Sequence, residues 1–413
     1  MFYGWILLST LSVIYFLSVG AIFYGFAAVI PQIIEDEGWS RVQVSAGFSI
    51  LTAAAGLSGP LIALVIQRFG ARMAIVVGSL FTIFGATLMY TGEGLSNFYL
   101  GLCFVGVGMG MQTVIPGTQL LTRWFQRYRA LALGVFLSSA GLGALIAAPT
   151  FGFLSESYSN WRILMPVIAA SALLSSILAG LIVRERPEVM GLMADGRPMR
   201  DATMAVAGTP HQTSSVWTVS IAIRTYAFWM VVLGASLAVA GSTIVNSQAI
   251  LHMEELGLSR VLAASALGVA GLLGTLGRLI SGVLGDRIEP RFLLAWGLAL
   301  EAAGIAVLLL ASHPVTAYIF ASVFGLGFGL AVVATPALIA NYFGSESYAS
   351  LYAARGVLVT LMGAMAPIVA GFLYATTNGY SVTFLGFAIL TGVAALLVRS
   401  AKPPVHSSVP VRP

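Results

Sequence analysis

Twelve apolar stretches follow one another along the chain, each about as long as a bilayer is thick, and short polar breaks separate them. Few of these stretches alternate strictly between apolar and polar residues, which favours helices over the strands of a barrel. The pattern therefore predicts an all-α membrane protein with transmembrane helices over residues 5–30, 42–66, 73–92, 98–121, 131–154, 163–183, 225–251, 262–285, 292–311, 315–340, 352–375 and 380–398.

The composition strengthens this prediction, because 58% of the residues are hydrophobic and only 8% are charged. Soluble domains carry about 25% charged residues, so an ordinary water-soluble enzyme is excluded. The single cysteine, Cys103, excludes an intramolecular disulfide and a multi-cysteine metal centre. No basic run is dense enough to bind nucleic acid, and no Walker motif for ATP hydrolysis is present. We expect membrane lipid as a partner, no cofactor, no metal and no enzymatic activity.

Arginine residues are concentrated in every second loop, and this distribution predicts the topology. Arg68 and Arg72 lie in one short loop, and Arg123, Arg127 and Arg129 lie in another, whereas the loops between them carry acidic residues. Positive loops remain on the cytoplasmic side. Both termini are therefore predicted to be cytoplasmic, in a multi-pass protein of a bacterial-type inner membrane.

One long polar segment divides the chain into two halves. We predict an N-terminal six-helix bundle over residues 1–183, a cytoplasmic linker over 184–224, a C-terminal six-helix bundle over 225–399 and a cytoplasmic tail over 400–413. The linker prediction rests on the prolines, arginines and acidic residues that are concentrated in this segment.

The two halves repeat one another at an offset of 219 residues. Gly38-Trp-Ser-Arg-Val42 matches Gly257-Leu-Ser-Arg-Val261. The same offset carries three glycines of the first half, Gly106, Gly108 and Gly110, onto Gly325, Gly327 and Gly329. Parallel repeats of six helices are one way in which transporters are built.

The loop after the eighth predicted helix resembles a known motif. Gly282-Val-Leu-Gly-Asp286-Arg287, followed by Arg291, is similar to the G-x-x-x-D-R-x-x-x-R loop of the major facilitator superfamily. The first-half copy keeps Arg68 and Arg72 but has Gln67 where aspartate is usual. The resemblance implies twelve helices in two pseudo-symmetric six-helix bundles.

Within that superfamily, the chain is similar to the monocarboxylate porters and their bacterial oxalate/formate-type relatives. The residues that carry this resemblance are Phe2-Tyr-Gly-Trp5, the Gly-Trp-Ser-Arg after the first helix, Pro116, Arg123-Trp-Phe125 and Arg129-Ala-Leu-Ala-Leu-Gly134. The resemblance implies transport of a small carboxylate by alternating access.

The loop motif suggests a conformational latch. Asp286 can pair with Arg287 or Arg291 and with the positive end of a neighbouring helix, and a rocking motion would make and break these contacts. Arg68 and Arg72 are the first-half counterparts. The alternative is a static salt bridge at a helix end, which contributes little by itself.

Three ionisable residues fall inside the predicted helices, namely Arg278, Glu301 and Arg355. A charge at the bilayer centre costs about 3 to 10 kcal/mol, so it is seldom kept without a partner or a function. Arg278 lies among glycines and small polar residues, and its guanidinium can bind a carboxylate through two parallel hydrogen bonds. The resemblance implies the same role for Arg278. The alternative is that Arg278 only braces its helix.

Glu301 is the candidate for proton coupling. Animal monocarboxylate porters carry an aspartate four residues before the matching arginine, and this chain has Gly274 there. An apolar environment favours the neutral acid, so Glu301 can bind a proton. Glu301 can also simply pack against a neighbour or face lipid headgroups, and the substrate can instead bring its own proton. Arg355 lies near the cytoplasmic end of its helix, where snorkelling explains it, with a substrate contact as the alternative.

Uncharged polar groups must complete a substrate site. The candidates in the helices that line the cavity of this family are Tyr24, Gln112, Thr113, Ser138, Ser139, Ser242, Asn246, Thr335 and Thr360. Each can equally be a helix-packing group. His252 is expected as a surface histidine at a helix end, with pH sensing as the alternative.

These observations predict a secondary transporter of a small, lactate- or pyruvate-like monocarboxylate, with proton symport as the coupling. The alternatives within transport are an organic anion exchanger of the oxalate/formate type and efflux of another small molecule. A sensor that binds ligand without moving it is the alternative from another class.

Overall fold

The computed structural model describes residues 2–158, 160–196 and 217–404. The parts of the predicted linker and tail that fall on residues 197–216 and 405–413 lie outside the described residues. The regular elements of the described residues are helices, in agreement with the all-α prediction.

The first half contains helices that correspond to the first six predicted spans. They are α1 Tyr3–Ser18, a π-helical turn Val19–Gly25, α2 Phe26–Glu37, α3 Arg41–Leu57, α4 Gly59–Phe69, α5 Ala71–Thr91, α6 Gly94–Gln112, α7 Val114–Trp124, α8 Arg129–Tyr158 and α9 Leu164–Ile182. A single turn of 3-10 helix, Trp161–Ile163, precedes α9.

The second half contains six long helices and one short one. They are α10 Val219–Ala222, α11 Tyr226–Glu255, α12 Arg260–Gly285, α13 Pro290–Leu308, α14 Pro314–Phe343, α15 Tyr348–Thr377 and α16 Ser381–Ser400. Two 3-10 turns, Pro187–Met190 and Ala194–Gly196, lie between the halves.

Among the described residues, ten helices are long and apolar enough to cross a membrane, and a bent pair makes an eleventh. The α8 helix occupies the position of the remaining predicted span. Large apolar side chains point outward along these helices, and Leu64, Leu181, Phe372 and Leu396 are each more than 60% exposed. Apolar surface of this extent is buried by lipid, so the protein is a multi-pass membrane protein.

Three of the predicted spans are not single α-helices. The first continues to Glu37 and contains the π-helical turn, the second bends by 43° between α3 and α4, and the fourth breaks at Thr113. The bend follows from Gly59 and Pro60, because proline has no amide to continue the hydrogen-bond ladder. The sequence pattern registers apolar length and does not reveal these interruptions.

The described residues divide into two compact units. The first comprises Met1–Val206 together with Tyr352–Thr360, and the second comprises Ala207–Leu351 with Leu361–Pro413. The Tyr352–Thr360 stretch of α15 therefore groups with the first unit.

The repeated motif marks the same helix boundary in both units. Gly38 and Gly257 have φ angles of +67° and +93°, which glycine adopts without strain. Ser40 and Ser259 then cap α3 and α12, because their side chains accept hydrogen bonds from the backbone N–H groups of Gln43 and Leu262. The motif is thus a helix stop followed by a helix start.

The repeated glycines pack helix backbones together at equivalent positions. A Cβ added at Gly108 would lie 2.5 Å from the carbonyl oxygen of Gly78, and one added at Gly327 would lie 2.6 Å from that of Gly297. Gly78 and Gly297 are themselves 219 residues apart. Likewise, Gly106 packs on the backbone of Leu51 and Gly325 on that of Ala270. The two halves therefore repeat the same helix contacts as well as the same sequence motifs.

We expect Gly106→Ala and Gly325→Ala each to destabilise the protein by about 1–3 kcal/mol, because the added methyl group meets backbone atoms that cannot move aside. The measurement is the melting temperature in detergent. Gly386→Ala is the matched control, since a Cβ at Gly386 meets nothing within 4 Å. Equal melting temperatures for all three variants would contradict this account of the packing.

Candidate functional site

The α12 helix presents three different faces, and Arg278 lies on one of them. At about 100° per residue, the first face packs on α14 and consists of Ala270, Gly274, Gly277 and Ser281. The second face is apolar and exposed, and it consists of Leu272, Leu276, Leu279 and Val283. The third face lies between these two and consists of Gly271, Thr275, Arg278 and Gly282.

The third face is made of small residues apart from Arg278, and it is open at Gly271. The Arg278 side chain is partly exposed, and a Cβ added at Gly271, two turns earlier, meets nothing within 4 Å. The Arg278 backbone is held close to α14, since a Cβ on Gly329 would lie 2.9 Å from its amide nitrogen. The structure thus holds the Arg278 backbone against α14 and places Arg278 on a different face from the exposed leucines.

Tyr24 lies in the π-helical turn Val19–Gly25 of the first unit and is partly buried. The turn passes close to α8, because Gly20 packs on the backbone of Gly143 and Gly25 packs on Phe151. Single π-helical turns are frequent at functional sites. The sequence pattern identified Tyr24 but not the turn that carries it.

Gln112 bridges three helices of the first unit. Its side-chain oxygen accepts a hydrogen bond from Ser18 Oγ at 3.0 Å, and its Nε2 donates to Thr82 Oγ1 at 2.7 Å. Gln112 is only 2% exposed. Its amide is therefore already used in holding α1, α5 and α6 together. Ser18 and Thr82 were not among the predicted candidates.

Thr113 and Thr360 line one cavity of about 260 Å³ in the first unit. Tyr352 and several glycines, including Gly56 and Gly110, also line it. Thr113 Oγ1 donates a hydrogen bond to the carbonyl oxygen of Met109 at 2.8 Å, so its lone pairs remain available. The cavity is small and largely apolar, with two hydroxyl groups from threonine and one from tyrosine.

Arg355 lies in the same stretch of α15 but is not part of the cavity wall. Its guanidinium carbon lies 4.7 Å from the centre of the Tyr352 ring, and the residue is 8% exposed. This geometry fits a cation–π contact. Arg355 therefore packs against a residue of the cavity wall and is more buried than snorkelling predicts.

The remaining polar candidates differ in their surroundings. Ser139 Oγ donates to the carbonyl oxygen of Phe136, and Thr335 Oγ1 donates to that of Ala331, so both bond within their own helix. Ser138 is buried as well. Asn246 is exposed on α11, where its side chain donates to the carbonyl oxygen of Ser242 at 2.8 Å.

Glu301 is completely buried in α13, with no exposed surface. A Cβ added at Gly241 of α11 would lie 3.7 Å from its Oε2, and a Cβ at Gly327 of α14 would lie 2.6 Å from its amide nitrogen. Glu301 therefore points into the second unit and does not face lipid headgroups, which removes one of the predicted alternatives.

His252 is also buried, and the expectation of a surface histidine is wrong. It is 4% exposed and packs against the rings of Tyr380 and Phe384, with centroid distances of 5.9 and 5.1 Å. The physical reason is that α11 continues to Glu255, so His252 lies in a packed helical turn and not in the loop.

The residues of the predicted latch contact carboxylates that the sequence did not single out. Arg291 Nε lies 3.0 Å from Glu289 Oε2, and Tyr342 donates to Glu289 Oε1 at 2.6 Å. Asp286 caps the end of α12, and Arg287 is exposed. The hydrogen bond between Tyr342 and Glu289 links α14 to the start of α13, and the pair of Arg291 and Glu289 is local to that start.

The first unit uses a carboxylate from a different place. The backbone amide of Arg72 donates to Glu185 Oε1 at 2.6 Å, and the Arg72 guanidinium donates to the carbonyl oxygen of Gly180. Arg68 is exposed and lies over the Phe69 ring at 5.5 Å. Glu185, which follows α9, therefore accepts a hydrogen bond from the first turn of α5. This is the same α4–α5 motif in which Gln67 replaces the usual aspartate.

Comparisons with known proteins agree with the family resemblance of the sequence motifs. A family model described as Major Facilitator Superfamily matches residues 11–292 and again residues 231–412. Monocarboxylate transporter 13 of Bos taurus is 24% identical over 389 residues, which cover 92% of this chain and 84% of the relative. Monocarboxylate transporter 11 of Mus musculus is 25% identical over 397 residues, covering 93% and 84%.

Two solved structures share the fold. The E. coli fucose:proton symporter FucP has a TM-score of 0.71 at 16% identity, over 97% of this chain and 100% of that one. The proton:xylose symporter XylE has a TM-score of 0.72 at 12% identity, over 94% of each chain. At these identities, the likeness concerns the arrangement of helices.

We expect Thr82→Val to destabilise the protein by about 1–3 kcal/mol, because it leaves the buried amide of Gln112 without its acceptor. Thr87→Val on the same helix is the control, since Thr87 is exposed and bonds only to the carbonyl oxygen of Ile83. Thermal unfolding of the two variants measures the difference. A melting temperature of Thr82→Val equal to that of the wild type would contradict the bridging role of Gln112.

Proposed function

Since this chain belongs to the Major Facilitator Superfamily, we propose that it is a secondary active transporter of a small monocarboxylate. In this proposal, the two units work by alternating access, and Arg278 binds the substrate carboxylate. The curated relatives quoted above bear the name monocarboxylate transporter, which supports the substrate class.

The observation that carries the proposal is the setting of Arg278. Arg278 lies on a helix face of small residues, apart from the exposed leucines, and two turns after the open position Gly271. A cation within a membrane helix is costly unless it lines a polar cavity or binds an anion. The guanidinium fork matches a carboxylate and makes two charge-assisted hydrogen bonds with it.

A single carboxylate suits this chain better than two. The residue 219 positions before Arg278 is Gly59, so the first unit has no matching cation. Arg355 is engaged with the Tyr352 ring. A lactate- or pyruvate-like acid has one charged end, and its small polar remainder needs only hydroxyl or amide groups. Tyr24, Asn246, Thr113 and Thr360 are our candidates for these contacts.

Proton symport is the proposed coupling, because a gradient must drive a transporter whose chain carries no ATP-hydrolysis motif. An anion exchanger of the oxalate/formate type is the second candidate. It would need a counter-anion inside a vesicle, whereas a symporter would need only a pH gradient. We disfavour efflux of another small molecule and a non-transporting sensor because the relatives quoted above are named as monocarboxylate transporters.

The arginine-rich loops support a topology with both termini in the cytoplasm of a cell with a bacterial-type inner membrane. In this orientation, Arg68, Arg72, Asp286, Arg287 and Arg291 all lie on the cytoplasmic side. We assign the latch to Asp286 and Arg287. Arg291 and Arg72 instead contact Glu289 and Glu185 within their own units, and we assign them a stabilising role.

Arg278→Lys tests the carboxylate contact. The lysine keeps the charge but loses the two-pronged geometry, so we expect a loss of about 1.5 to 3 kcal/mol, or roughly ten- to a hundredfold in affinity. Uptake of labelled lactate and pyruvate into proteoliposomes measures it. Arg399→Lys is the control, because Arg399 is exposed at the end of α16. Wild-type affinity and rate in Arg278→Lys would contradict the proposal.

Two variants distinguish the proposed latch at Asp286 from the stabilising contacts of Glu289 with Arg291 and Tyr342: Asp286→Asn and Glu289→Gln. We expect Asp286→Asn to slow turnover while leaving equilibrium binding intact, because a latch changes conformational populations and does not touch substrate. Glu289→Gln should instead lower the free energy of unfolding by about 1–3 kcal/mol, because Arg291 and Tyr342 lose a charged partner. Melting curves and transport rates of both variants measure this, and the reverse assignment of effects would refute it.

A further inference from the structure

Glu301 is a carboxyl group buried without a partner. Among the described residues, neither of its side-chain oxygens has a hydrogen-bond partner, and the residue has no exposed surface. A Cβ added at Gly241 of α11 would lie 3.7 Å from Glu301 Oε2. Because residue 241 is glycine, α11 leaves room there for the Glu301 carboxyl group.

The internal repeat shows what a polar residue at this position does elsewhere. Thr82 stands 219 residues before Glu301, and both pack against the middle glycine of the repeated triplet, Gly108 or Gly327. Thr82 is satisfied, because Gln112 donates to it. The residue that corresponds to Gln112 is Ala331, which has no polar side chain. The second unit thus has the stronger polar group and lacks its partner.

No counter-ion replaces that partner in the helices that pack on α13. Apart from Arg278 and Glu301, the charged and titratable residues of these helices and of α13 itself lie near helix ends. They are Tyr226, His252, Glu254 and Glu255 on α11, Arg260 on α12, Arg291 on α13, Tyr318 and Tyr342 on α14, and Arg399 on α16. His252 is about 16 Å along α11 from Gly241. Neither Glu301 oxygen has a hydrogen-bond partner among the described residues, which excludes a hydrogen bond from Arg278. An unpaired carboxylate is very costly at such a site, so the group is held as the neutral acid.

We propose that Glu301 is the proton-binding group of the transport cycle, which rests on the proposed function above. The acid form fits the closed space that Glu301 occupies beside α11 and α14. The carboxylate form requires water or a donor, and either can reach Glu301 only when α11 separates from α13. Loss of the proton is therefore linked to a rearrangement inside the second unit, at a group separate from Arg278.

Glu301 and Arg278 are connected through one helix segment. Gly329 of α14 packs on the amide of Arg278, and Gly327 packs on the amide of Glu301. A shift of α14 therefore displaces both backbones at once. This gives a structural path by which occupancy of the carboxylate site alters the space around the proton site.

The transport test uses proteoliposomes with labelled formate, acetate, lactate and pyruvate. If one proton accompanies each substrate, a gradient of one pH unit supports about tenfold accumulation in the wild type. Glu301→Gln should lose this accumulation, yet it should keep exchange of labelled for unlabelled substrate, which also shows that the variant is folded. Glu93→Gln, at an exposed glutamate before α6, should behave as wild type. Glu301→Asp, which keeps an ionisable group, should accumulate more than Glu301→Gln.

Accumulation by Glu301→Gln at the wild-type level would overturn the proposal and would show that the substrate brings its own proton. Equal loss in Glu301→Asp and Glu301→Gln would overturn it too. Infrared titration of the purified protein in lipid is independent of substrate, and the carbonyl band of a protonated carboxylic acid should be present in the wild type, vanish at high pH and be absent from Glu301→Gln. If the wild type moves none of the four acids, the proposed substrate class fails, and the infrared result alone decides for or against Glu301.

Discussion

Helices in a bilayer cannot rely on the hydrophobic effect to associate, because lipid is as apolar as their own side chains, so close backbone contact takes its place. In this protein the contact is made by alternate glycines of α14. Gly329 packs on α12 at Arg278, and Gly327 packs on α13 at Glu301. The two ionisable groups that matter most for the proposed function are thus positioned by glycines two residues apart. A bulkier helix at this point would move both groups away from their present surroundings.

Much of this arrangement could be predicted from the sequence. The helices follow from apolar length and the repeat follows from a constant offset, whereas the role of Arg278, suggested by the cost of a charge in lipid, stays a prediction. The offset was even more informative than it first appeared, since it also relates Thr82 to Glu301 and Gly59 to Arg278. Comparing the two halves position by position identifies the residues at which the second unit has become chemically different.

The hydrogen-bond and ion-pair partners could not be predicted in the same way. The sequence makes Gln112 a candidate substrate contact, but its amide bonds to Ser18 and Thr82, which come from helices distant in sequence. The carboxylate beside Arg72 comes from Glu185, at the far end of the unit. His252 became buried because α11 is longer than its apolar pattern indicates. Each of these outcomes depends on which helices become neighbours, and a single chain pattern does not contain that information.

The π-helical turn Val19–Gly25 accommodates one residue more than an α-helix of the same rise would hold. No such turn occurs in α11, the long helix that begins the second unit. Any alignment of these two helices therefore needs a one-residue gap within residues 19–25, and the structural counterpart of Ser18 becomes Ala238 instead of Leu237. An ungapped alignment of the two halves would displace the residues of α1 by one position relative to α11 and assign their faces wrongly by about 100°.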